Sequence, residues 1–78
     1  MKKIQFEVLA KAGKLKTVRA HECAEGKYQL WAFPEGEAEW VKEFKTARGE
    51  TRIWANLDVL LKFVKDMGYR GILEISPL

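Results

Sequence analysis

Apolar and polar residues alternate over residues 3–10, KIQFEVLA. Ile4, Phe6 and Val8 fall on one face and Lys3, Gln5 and Glu7 on the other, the period-two pattern of a half-buried strand. Gly13, flanked by Lys11 and Lys14, marks a turn, and LKTVRAHEC (15–23) returns as a second strand. AEGK follows as the next turn, with Gly26 free to take the positive φ that a tight hairpin needs. YQLWAF (28–33) reads as a third strand, ended where Pro34 withdraws a ladder donor. EAEWVKEFKTA (37–47) fits two periods. Trp40, Val41 and Phe44 suit a helix, whereas Trp40, Phe44 and Thr46 suit a strand face, and ARGE followed by TRIWA favours the strand by suggesting another hairpin.

The stretch RIWANLDVLLKFVKDMGYRGILEI (52–75) carries a different pattern. Asn56 is a good N-cap, and Asp58 in the first turn complements the helix dipole. Leu57, Leu60, Leu61, Val64 and Met67 share one face at three- and four-residue spacing. Lys65 lies near the negative end, Gly68 can adopt the left-handed stop, and GILEI (71–75) is short and strand-like. The predicted order is β-β-β-β-β-α-β: an α+β domain over 1–78, with an antiparallel β-meander of five to six strands and one C-terminal helix packed on one face. One helix covers only one face of such a sheet. Tyr28 and Leu30 point one way and Trp31 and Phe33 the other, so some large side chains are expected to meet something outside the monomer.

At 78 residues the chain supports one domain of modest stability. Hydrophobic residues at 47% and charged residues at 32% exclude a disordered chain, and no apolar run approaches the roughly 18 residues of a membrane span. The first residues lack a signal-peptide core, and the single cysteine, Cys23, excludes an internal disulfide; both suit the cytoplasm. Net charge is +3, concentrated early: residues 1–27 hold seven Lys or Arg against three Glu. KAGKLKTVR (11–19) has four basic residues and no acid, which suits either a solvated hairpin or an anion-binding tip.

Catalytic patterns are missing. His21 and Cys23 share a strand face, but no other His or Cys could complete a metal site, and no orienting group or oxyanion site accompanies them. Glu35, Glu37 and Glu39 alternate around a turn as a solvated face would. There is no P-loop, dinucleotide fingerprint or nucleophile elbow, so the sequence points away from an enzyme, a cofactor and a metal.

Arg52, Trp54, Leu57, Asp58, Phe63, Val64 and Gly68, within 51–75, form a pattern of basic and aromatic residues, Leu-Asp, amphipathic helix and glycine stop. It resembles the C-terminal part of short proteins carried on plasmids and integrated mobile elements, some partition-associated. The resemblance covers about a third of the chain. It implies mobile-element housekeeping and association with DNA, and it supplies no site residues.

Two functions compete. In the first, the protein is a small nucleic-acid-associated accessory that self-associates and binds single-stranded DNA or RNA. Lys11, Lys14, Lys16 and Arg19 contact phosphates, Arg48 and Arg52 assist, and Trp31 stacks on bases. The predicted helix, with balanced charge on its outward positions, offers nothing to read duplex bases. In the second, the aromatic face meets a second copy or another protein, as in a homodimeric adaptor of a mobile element that binds no nucleic acid.

Overall fold

The centre of the molecule is a hairpin. β1 (Leu15–Ala24) pairs antiparallel with β2 (Lys27–Pro34), with Val18 opposite Ala32 and Ala20 opposite Leu30. Gly26, at φ 72°, makes the turn between them, as the sequence predicts. The computed structural model describes residues 1–36 and 42–78. Within these, a helix α1 (Lys3–Lys11) precedes the hairpin, and β3 (Lys42–Glu43), a helix α2 (Leu57–Asp66) and β4 (Leu73–Ser76) follow it. The spatial strand order is β3-β2-β1-β4. Three strands make the body of this mixed sheet, and the two-residue β3 pairs antiparallel at one edge of β2.

The fold is α+β, but the five-to-six-strand antiparallel meander with a single helix is incorrect. Residues 3–10 are helical. Phe6 and Ala10, four apart, are buried, while Ile4 and Val8 are 76% and 61% exposed, so the alternation that suggested a strand has no buried face behind it. Gln5 accepts the Lys2 backbone N–H at 3.1 Å and caps the first turn. Gly13, at φ 69°, ends this helix and turns the chain into β1 rather than closing a hairpin. The second error is β4, which lies parallel to β1 with Val18 opposite Leu73. A parallel neighbour requires a crossover, and α2 lies on that connection. The expectation for 37–47 falls partly outside the described residues; among residues 42–47, which are described, only Lys42–Glu43 is strand. Residues 51–55 form no strand, although Thr51 and Trp54 make isolated antiparallel bridges to Lys45 and Tyr28, the first of them closing the expected turn.

α2 follows its sequence. Asn56 Oδ1 accepts from the N–H of Asp58 at 2.8 Å and of Val59 at 3.3 Å, and Gly68 takes φ 96° after the last turn. Leu60, Val64 and Met67 are buried. They join Phe6 and Ala10 of α1 and Val18, Ala20, Leu30 and Ala32 of the sheet in one core. Both helices therefore cover the same face of the sheet. Phe44 is the hub between the layers, packing edge-on against Phe6, Trp54 and Phe63 with ring centroids 5.2 to 5.7 Å apart.

Candidate functional site

A broad concavity lies between the start of α1 and the loop after β3. That loop is pinned by backbone bonds from Phe44 N–H to Leu30 O (2.8 Å) and from Lys45 N–H to Met1 O (2.6 Å). Residues 46–50 then close a tight turn around Gly49, at φ 87°, and Arg52 N–H returns to Phe44 O at 3.1 Å. The groove so formed has a volume of about 840 Å³. Met1, Lys2, Lys3, Ile4 and Gln5 make one wall, and Phe44, Lys45, Thr46, Ala47 and Arg52 the other.

Its charge is one-sided. Four of the lining side chains are cationic and none is Asp or Glu. Lys2 Nζ reaches across to Ala47 O at 3.2 Å, and Lys3 stands exposed at the first position of α1. The Arg52 guanidinium lies over the rings of Trp54, 4.5 Å from the centroid, and Phe63, at 5.0 Å. Lys45 is partly neutralised by Glu43, 3.4 Å away. The Thr51 hydroxyl donates to that carboxylate at 2.9 Å, and this bond, with Lys45 beside it, holds the Glu43 carboxyl below its ordinary range. No acidic residue occupies the first turn of α1, so the positive end of the helix adds to the field of the lysines.

The residues proposed from sequence are divided among three places. Arg52 lines the groove, and Arg48 is exposed in the turn beside it. Lys11, Lys14 and Lys16 lie at the corner where α1 passes into β1, not at a hairpin tip, since Gly13 is a helix stop. Lys11 pairs with Glu7 at 3.0 Å, and its aliphatic stem lies against Gly68. Arg19 and Trp31 lie on the sheet face opposite the helices. Arg19 reaches Glu74 at 3.4 Å and covers the Phe33 ring at 4.9 Å. Trp31 is half-buried: His21 stacks on it at 4.2 Å, nearly parallel, and its Nε1–H donates to Gln29 at 3.0 Å. One face of the indole is thus occupied. Cys23 Sγ is 3.5 Å from Lys27 O, and among the described residues no three potential metal ligands gather.

Lys2, Lys3 and Lys45 escape the sequence reading, because a strand over 3–10 sends Lys3 to a solvated sheet face. The signal for Lys2 and Lys3 was Gln5 at the third position of a helix whose first turn lacks acid, and Lys45 joins them only through the fold. No described helix is long and apolar enough to cross a membrane. The chain matches no protein-family model, no curated protein and no solved structure.

Proposed function

We propose that the protein is a small non-enzymatic accessory of the cytoplasm that associates with single-stranded DNA or RNA, in the mobile-element setting that the resemblance of residues 51–75 implies. The observation that carries this reading is the groove at the start of α1, with Lys2, Lys3, Lys45 and Arg52 along it and no carboxylate among its lining residues. A phosphodiester chain is the common linear anion that uses several cations in a row. The apolar side chains of Ile4, Phe44 and Ala47 in its walls would accept a nucleobase beside them. A single strand suits the site better than duplex, because α2 presents Asp58, Lys62, Lys65 and Asp66 outward and no base-reading side chain. The sheet face contributes less, since Arg19 is paired with Glu74 and Trp31 is covered on one side by His21.

The test is fluorescence anisotropy of a labelled mixed-sequence single-stranded oligonucleotide at two salt concentrations. Lys3→Ala with Arg48→Ala is expected to weaken binding and to flatten the salt dependence by about 0.7 in log–log slope for each phosphate no longer neutralised. Lys14→Ala with Lys16→Ala, at the α1–β1 corner, is expected to change affinity less. Equal weakening in both double variants would point to diffuse charge, and no binding at low salt would end the nucleic-acid reading.

A further inference from the structure

We infer that the outer edge of β4 is the contact through which two copies of this chain pair, antiparallel and two-fold, into one continuous sheet. The backbone hydrogen bonds determine which groups that edge presents. Leu30 O accepts from Phe44 N–H and Tyr28 exchanges bonds with Trp54, so the even residues of β2 turn toward β3 and the odd ones toward β1. Opposite them, Thr17, Arg19 and His21 of β1 face β2, which leaves Val18 and Ala20 to face β4. Through the parallel register, Glu74 and Ser76 then turn toward β1, in keeping with Ile72 O accepting from the Thr17 hydroxyl at 3.4 Å. Leu73 and Ile75 are left with their N–H and C=O groups directed outward, and no described strand lies beyond them.

An extended strand is the partner that such an edge recognises. The sequence of β4 makes a second copy of itself suitable. Antiparallel pairing must match outward-facing residues, which allows three close registers, and Leu73 against Leu73 would carry Glu74 and Ile75 onto residues 72 and 71, before the strand begins. Leu73 against Ile75 would set Glu74 directly opposite its own copy, a like-charge pair. Ile75 against Ile75 instead places Glu74 opposite Ser76 twice and lets Leu73 donate to the carbonyl of Pro77, whose missing N–H removes only the outermost bonds. The side chains agree, because Ile75 is 51% exposed on the helix side of the edge and self-pairs on the axis. A stable pair buries about 800 Å² on each side, more than a four-residue edge provides. The shallow groove between α2 and β4, about 270 Å³ and lined by Leu61, Val64 and Leu73 among others, supplies apolar surface next to it.

Sedimentation velocity across a concentration series is the experiment, with far-UV circular dichroism to confirm the fold of each variant. The wild-type chain is expected to show a reversible monomer–dimer equilibrium. Ser76→Glu, which opposes Glu74, should weaken it at least tenfold, and Ser76→Lys should tighten it. Ile75→Pro removes an N–H that β1 does not use, so it should abolish the dimer and leave the ladder to β1 intact. A wild-type chain monomeric at every concentration overturns the proposal and leaves the edge blunted or reserved for a strand of another protein. A dimer indifferent to Ser76 and Ile75 also overturns it and places the contact elsewhere, as on the exposed Ile4 and Val8 of α1.

Discussion

Tyr69 shows how much one side chain arranges around itself. Its ring is buried at the end of α2, its hydroxyl donates to Ile72 O at 2.6 Å, and Gly71 lies directly beneath the phenol. A β-carbon at Gly71 would meet Tyr69 Oη at 2.6 Å and Cζ at 2.8 Å. Gly71→Ala should therefore displace the ring and lower stability by about 1–3 kcal/mol, read from denaturant unfolding. Burial raises the Tyr69 phenol above its ordinary value of 10.0. Its contribution is complete below pH 10 and declines as pH rises through the folded value, a decline that Tyr69→Phe should remove. Glu43 works in the opposite sense. Its carboxyl is lowered from 4.5 chiefly by the Thr51 hydroxyl, so it stabilises the fold above that pH and loses the effect as pH falls. Thr51→Val should raise the Glu43 titration midpoint in an NMR series. The variant should be less stable at pH 7 by about 0.5–1 kcal/mol after solvent screening, with the difference vanishing in acid.

At the scale of elements, α1 is the segment on which sequence and structure part, and a pair of substitutions distinguishes them. In the helix, Phe6→Ala should cost about 3–5 kcal/mol, because the ring is fully buried against Phe44. Ile4→Ala and Val8→Ala should each stay within about 0.5 kcal/mol. A strand would have made the three costs similar. α2 was legible because cap, dipole charges, apolar stripe and glycine stop all agree; Asn56→Ala should cost about 1 kcal/mol by thermal unfolding. The β1–β2 hairpin was legible for the same reason, its alternation confirmed by the turn at Gly26. α1 was not, because IQFEV alternates and also fits a helix, and only the burial of Phe6 with Ala10 decides between them. The parallel placement of β4 was beyond local pattern altogether, since direction depends on what lies across the sheet rather than on the strand's own residues. The groove went unseen as a consequence: its cations come from 2–3 and 45–52, and only the helical path of α1 brings them together.

For the whole molecule, the parallel strand predicts an order of assembly. β1 and β2 are joined by a short turn and can pair as soon as both exist. β4 must wait until α2 has crossed the sheet, and its contacts to β1 span 55 residues, as between Arg19 and Glu74. The long loop closure makes β4 the natural place for the sheet to open first. Neighbouring amides of one strand should then differ in hydrogen exchange. Arg19 and His21, bonded toward β2, should be protected for as long as the hairpin lasts, while Val18 and Ala20, bonded toward β4, should exchange each time that strand lifts. The centre of the sheet is closed by proximity along the chain, and its far edge only by a contact that spans 55 residues.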